Sequence, residues 1–147
     1  MFKDSFTKII NDVYRLNSDL SPKNLDKKLK KIAENSPRKQ SRICFHKDDL
    51  SKIQIMYICH LKDCEVKIHK HIQYPEWIFF LKAKAQVIYF DQKSVEKKRI
   101  TIDTKENEGF VMHFIPKNVF HTLKFEEDSF FLEIKQGPFD KNSTTYF

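Results

Sequence analysis

The chain has 147 residues and a mass of 17.7 kDa, which suits one domain with one sizeable core. Hydrophobic residues make up 40% and charged residues 32%, and fourteen Phe, five Tyr and one Trp supply far more packing material than a disordered chain carries. Only two glycines occur, Gly109 and Gly137, so P-loop nucleotide hydrolysis and a Gly-x-Ser-x-Gly nucleophile elbow are both excluded.

The net charge of +7 and pI near 9.2 admit an anionic partner. The excess is mostly lysine on solvated positions such as Lys27, Lys28, Lys30 and Lys31, which argues against a nucleic-acid surface and remains compatible with a phosphorylated small molecule. Three cysteines, Cys44, Cys59 and Cys64, together with an N-terminus that lacks the pattern of a signal peptide, lead us to expect a reducing cytoplasm. No apolar run reaches the ~20 residues of a membrane span, so we expect a soluble protein.

In chain order, Phe2, Phe6, Ile9, Ile10, Val13 and Leu16 recur at three- and four-residue intervals and predict a first helix over 2–16. Ser21-Pro22 reads as an N-cap with proline at the first helical position. Leu25, Leu29, Ile32 and Ala33 then form the stripe of a second helix that ends before Ser36-Pro37. Beyond Arg38 short runs rich in Ile, Val, Phe and Tyr predict strands over 42–46, 53–61, 65–71, 76–81, 85–91, 98–102, 110–115, 121–125 and 129–135. So many antiparallel strands in about a hundred residues favour a mainly β, double-sheet jelly roll. We expect a single-domain protein with an N-terminal helical segment over 1–35 packed on a β domain over 36–147.

The residues with metal chemistry are His69, His71, Glu76 and His121. Residues two apart on a strand share a face roughly 6.5 Å apart, so His69 and His71 can both turn toward one ion while Lys70 points away. Ile72, Gln73, Tyr74 and Pro75 form a turn that returns the chain and sets Glu76 within reach, and His121 opens a later strand after Pro116-Lys117-Asn118. Three neutral imidazoles and one carboxylate suit a divalent transition metal (Mn, Fe, Co, Ni or Zn) with one or two positions left for water or ligand.

His69-Lys70-His71-Ile72-Gln73-Tyr74-Pro75-Glu76 and Pro116-Lys117-Asn118-Val119-Phe120-His121 resemble the two motifs of the cupin superfamily. Cupins usually have glycine where this chain has Asp63, Ala83 and Asn118. Asn118 tolerates the left-handed backbone such a glycine adopts, whereas Ala83 implies a differently shaped turn. A closer likeness is to the WbuC family of cupin-fold metalloproteins, small bacterial proteins associated with surface-polysaccharide gene clusters. It runs from 36–42 through His46, the His69 to Glu76 motif, 87–91 and His121 to 132–139. The resemblance implies a cupin jelly-roll barrel of two antiparallel sheets, a divalent metal on His69, His71, Glu76 and His121, and a homodimer; it supplies no reaction.

Around this set, Arg42 is a candidate clamp for a phosphate or carboxylate or a cap on an acidic neighbour, and His46, Tyr57 and His113 are candidate ligand-contacting residues, with core packing as the alternative for each. Trp77, Phe79 and Tyr89 are aromatic candidates for stacking on a sugar, again against core packing. Cys59 and Cys64 lack the spacing of a zinc site and read as buried thiols.

Two function classes follow. One is an enzyme, a metal-dependent isomerase or epimerase acting on a sugar or nucleotide sugar in surface-polysaccharide synthesis, with Glu76 as a candidate proton carrier and iron-based oxidation as a variant. The other is a non-catalytic metal- and saccharide-binding module, alongside a metal-free cupin that uses the histidine pair as acid and base. A titratable group close to the ion that does not ligate it favours the first class.

Overall fold

The computed structural model describes residues 6–17 and 23–147. The first described segment corrects the helix expected over 2–16: it is a hairpin of β1 (Phe6–Ile10) and β2 (Val13–Leu16). Asn11 holds φ at 38°, a left-handed conformation that Asn tolerates in the two-residue turn with Asp12. Thr7, Ile9, Ile10 and Val13 are β-branched and pack better on a pleated surface than on a helix. The Asp12 carboxylate is buried, accepts from Ser36 Oγ at 2.8 Å and pairs with Arg38 Nη2 at 3.0 Å. The Asp12 carbonyl accepts from Arg42 N–H, which ties the turn to the next strand.

Helix α1 (Leu25–Asn35) is the expected second helix. The expected cap at Ser21-Pro22 lies outside the described residues, and the helix starts after a left-handed Asn24. Leu29 and Ala33 are fully buried against Ile43, Tyr57, Cys59 and Phe130, and Ser41 Oγ donates to the Leu29 carbonyl at 2.7 Å. The helix therefore covers one region of the outer face of a sheet.

Ten further strands follow: β3 (Gln40–Cys44), β4 (Ile53–His60), β5 (His69–His71), β6 (Glu76–Lys82), β7 (Lys84–Phe90), β8 (Glu96–Asp103), β9 (Val111–Ile115), β10 (Phe120–Phe125), β11 (Ser129–Gln136) and β12 (Thr144–Tyr146). The fold is mainly β, in two sheets ordered β1-β2-β3-β4-β11-β6-β9 and β12-β5-β10-β7-β8, and the sheets do not close into a barrel. All pairings are antiparallel except β2 with β3. The main core lies between the sheets, where alternate residues of the larger one (Met56, Ile58, Ile78, Phe80, Ile115 and Phe131) meet Ala85, Val87, Ile102 and Leu123 of the smaller. Asn118 takes φ of 62°, as its place in the second motif implies, while Ala83 makes the β6–β7 turn without positive φ, its N–H donating to Thr104 Oγ1.

His60 is buried in this core, edge-on to Phe125 and Phe131 with ring centroids at 4.9 and 5.2 Å. Burial first, then the charges of Arg42 and Arg38, push its imidazole down to about 3. Unfolded chains protonate this histidine near 6.5 while the native state resists until about 3, so between those values the unfolded state binds more protons and stability falls as pH falls. We expect the urea midpoint to decline across that window and the decline to lose about one proton's slope in His60→Leu; an unaltered slope in the variant would contradict the assignment.

Candidate metal centre

Short β5 carries His69 and His71, and its pairing with β10 sets His69 opposite His121. Glu76 starts β6 in the other sheet, so the four side chains meet between the sheets at one end. Their ligand atoms all lie within 4.8 Å of one another, and the imidazole centroids are 4.4 Å (His69 to His121), 5.0 Å (His69 to His71) and 5.7 Å (His71 to His121) apart. An ion with bonds of ~2.0–2.2 Å gathers such a set by small side-chain movements.

The outward nitrogens decide what the inward ones are. His69 Nδ1 lies 2.8 Å from the Lys67 carbonyl and His121 Nδ1 2.9 Å from the Val119 carbonyl. A carbonyl only accepts, so both rings carry their proton on Nδ1 and turn the lone pair of Nε2 inward. His71 Nδ1 lies 3.2 Å from Thr144 Oγ1, which allows the same arrangement. Inside, His71 Nε2 is 3.1 Å from Glu76 Oε2 and His121 Nε2 is 3.3 Å from Glu76 Oε1. These are short distances without hydrogen-bond geometry: Glu76 Oε2 and His121 Nε2 are buried and have no hydrogen-bond partner among the described residues. Acceptors thus face acceptors in a buried space, an arrangement that a cation resolves. The residues fit a divalent metal.

The electrostatics suit ligation. Burial works to raise the Glu76 carboxyl, but His121 and His71 outweigh it and hold the carboxyl well below the usual range, so it stays ionised. Burial first, and then His121, push His69 down to about 4, which leaves its imidazole neutral at ordinary pH. Both states are the ones a ligand needs.

The other candidates distribute unevenly. His113 on β9 pairs in register with inward-facing Ile78, and its Nε2 is 2.7 Å from Tyr89 Oη, while the Tyr89 ring stands 6.3 Å from that of His121. Burial, then Lys98, lowers His113; burial, then the Glu76 charge, raises Tyr89 to about 12. Glu76 itself is enclosed by His71 and His121. Arg42 sits on β3 with Nη1 3.8 Å from Met56 Sδ, outside the ligand cluster, and no carboxylate pairs with it among the described residues. His46 braces the β3–β4 connection, its Nδ1 3.1 Å from the Ile55 N–H. The structure does not bring Tyr57 to the centre: it lies on the outer face under α1 and donates to Asp26 Oδ1 at 2.5 Å. Trp77 is on that outer face too, and Cys59 and Cys64 are free, buried thiols raised by burial to about 12 and 11.

Sequence reading missed the C-terminal strand. β12 pairs with β5, placing Thr144 opposite His71 and Tyr146 opposite His69, with Tyr146 and His69 ring centroids 5.9 Å apart. The β-prone run Thr144-Thr145-Tyr146 was the available signal. Next to His71 the same segment walls a cavity of about 230 Å³ with Lys135, Gln73 and Tyr74.

Solved structures of similar fold include the capsular polysaccharide assembling protein CapF from Staphylococcus aureus (TM-score 0.62, 16% identity, 76% of this chain and 32% of that one). Others are the oxalate decarboxylase of Lactobacillus farciminis in a formate complex (0.51, 20%, 66% and 27%) and that of Bacillus subtilis, described with Mn(II) centres (0.52, 16%, 66% and 24%). The chain spans about a third or less of each of these proteins, and at such identities the likeness is one of fold, the cupin fold. No curated protein matches the sequence. The model of the family described as Domain of unknown function (DUF6016) matches residues 21–102, a stretch that runs from before α1 into β8 and holds His69, His71 and Glu76, and the chain belongs to that family.

Proposed function

We propose that this protein holds one divalent transition metal on His69, His71, Glu76 and His121 and presents it to a small saccharide-type ligand, as an isomerase or epimerase of a sugar or nucleotide sugar. The observation that carries the metal is the set of inward Nε2 lone pairs facing a buried carboxylate. When bound, the ion supplies a Lewis acid toward a carbonyl or hydroxyl oxygen. The chain's part is to keep the His69 imidazole neutral and the Glu76 carboxylate ionised, and to offer His71 and His121 as further imidazole ligands. Against a divalent ion that set leaves one net positive charge, which favours an electron-rich ligand oxygen.

His113 and Tyr89 support the catalytic reading over the binding-module one. They form a titratable pair between the sheets, beside His121 and outside the ligand set, and can give or take a proton where Glu76 is occupied by two imidazoles. The fold likeness to a capsular polysaccharide assembling protein and the sequence resemblance to the WbuC family support saccharides as the class to test. The free thiols of Cys44, Cys59 and Cys64 suit the cytoplasm, and among the described residues no helix is long and apolar enough to cross a membrane.

The test is elemental analysis of protein purified without added metal, followed by thermal shift of loaded and stripped protein with a panel of nucleotide sugars. We expect about one equivalent of metal, its loss in His69→Ala and His121→Ala, and a rise in melting temperature with a sugar on loaded protein only. Metal absent from the unmodified chain, or retained by both variants, contradicts the centre; a metal-bearing protein that no sugar stabilises contradicts the ligand class.

The reading includes a homodimer formed through β9, an edge strand of the larger sheet. Met112 and Phe114 on its outward face, with Phe110 just before the strand, lie beside Trp77, Phe79 and Leu81 of β6, an apolar patch bounded by the exposed Lys82 at the end of β6, with the Trp77 and Phe114 rings 4.7 Å apart. With aromatic side chains of 150–250 Å² each, these half-exposed groups offer on the order of 500 Å², the greater part of the ~800 Å² that a stable partner buries. The unpaired edge of β9 adds main-chain hydrogen bonds, and an antiparallel pairing of β9 with its copy is self-complementary. Sedimentation should give a dimer that Met112→Lys converts to a monomer; a monomeric unmodified protein rules the interface out.

A further inference from the structure

The three histidines are held in two different ways. His69 and His121 each direct Nδ1 at the carbonyl two residues earlier in their own chain segment, a contact that any cupin-like strand end could supply locally. His71 instead reaches Thr144, 73 residues later, across the β5–β12 pairing. The difference is chemical as well as topological. A carbonyl accepts only and so fixes one tautomer, whereas a hydroxyl both accepts and donates. His71 can therefore carry its proton on Nδ1, donating to Thr144 Oγ1 with Nε2 free to ligate. It can also carry it on Nε2 and accept the Thr144 hydroxyl, a tautomer that cannot ligate through Nε2 and whose Nε2 lies 3.1 Å from Glu76 Oε2 without hydrogen-bond geometry.

From this we propose that β12 is part of the metal centre, and that Thr144 is a positioning residue whose hydroxyl accepts the Nδ1 proton of His71 when Nε2 ligates. The inference rests on the metal centre argued above and adds to it the residue that tunes its affinity. β12 is well placed for the task. Besides Thr144 opposite His71, the Ile72 N–H donates to the Ser143 carbonyl at 2.8 Å and the Phe147 N–H to the Ile68 carbonyl at 3.1 Å, so β5 is clasped on both sides of the histidine pair. Phe147 stacks on Phe120, the residue before His121, with centroids 3.9 Å apart. Tyr146 stands against His69. The C-terminal strand thus touches the surroundings of three ligands, but supplies a polar atom to the ring of only one.

Without the hydroxyl, the Nδ1–H that the ligating tautomer carries loses its acceptor, and the ring loses the contact that orients it. Removal of such an outer partner of a metal-bound histidine costs 10–100-fold in affinity. Valine keeps the shape and the β-branching of threonine and lacks only the hydroxyl, and serine restores the hydroxyl without the methyl.

The experiment is a Zn²⁺ titration of the full chain in competition with a chromophoric chelator, on the unmodified protein, Thr144→Val and Thr144→Ser, with the melting temperature of each stripped protein as a control for folding. We expect Thr144→Val to bind about 10–100-fold more weakly, Thr144→Ser to stay close to the unmodified affinity, and the stripped proteins to melt alike. Equal affinity of Thr144→Val and the unmodified chain overturns the inference and leaves the metal centre standing. Equal weakening in valine and serine variants assigns the effect to strand packing and also overturns it. Failure of the unmodified chain to take up zinc overturns the centre and this inference together.

Discussion

The inward nitrogens of His69 and His121 and the Glu76 carboxylate, which face one another beside His71 without a donor among the three, set the terms for the rest of this structure. Lone pairs crowded together in a buried space are costly unless a positive charge sits between them. The chain has nevertheless spent its outer hydrogen bonds on keeping them so: the carbonyls of Lys67 and Val119 hold the protons of His69 and His121 on the far side of each ring. A histidine cluster kept only for packing has no reason to hold its donors away from an adjacent carboxylate.

The fold explains how the set is assembled from a small amount of chain. Antiparallel pairing of β5 with β10 puts His69 beside His121, the period of two along β5 adds His71, and β6 brings Glu76 from the opposite sheet. Each sheet therefore contributes, and the centre forms only when the two sheets pack over the core of Ile58, Ile78, Phe80 and Phe131. The clasp of β12 on the outer edge of β5 belongs to the same logic, because a three-residue strand has few ladder bonds of its own with which to hold two histidines steady.

Much of this was legible in the sequence because local patterns govern it. Strands β4, β6, β7, β9, β10 and β11 carry β-branched and aromatic residues between polar turns; the His-x-His pair and the short turn to Glu76 follow from strand geometry, and the resemblance to the cupin motifs adds His121. Three features were not legible, each for a physical reason. Phe6, Ile9, Ile10, Val13 and Leu16 satisfy a helical period as well as a hairpin with its turn at Asn11-Asp12, and only docking on β3 decides between them. Tyr57 belongs to the alternate face of β4, where α1 covers it; which face a strand turns inward is set by packing partners distant in sequence. Thr144 meets His71 across 73 residues, and no local pattern announces a contact of that range.

The most direct measurement is the X-ray absorption fine structure of the protein loaded with one equivalent of Zn²⁺ or Co²⁺. The account requires only nitrogen and oxygen neighbours at ~2.0–2.2 Å, with outer-shell scattering from three imidazoles. Sulfur at ~2.3 Å, or fewer than three imidazoles around the ion, would contradict it.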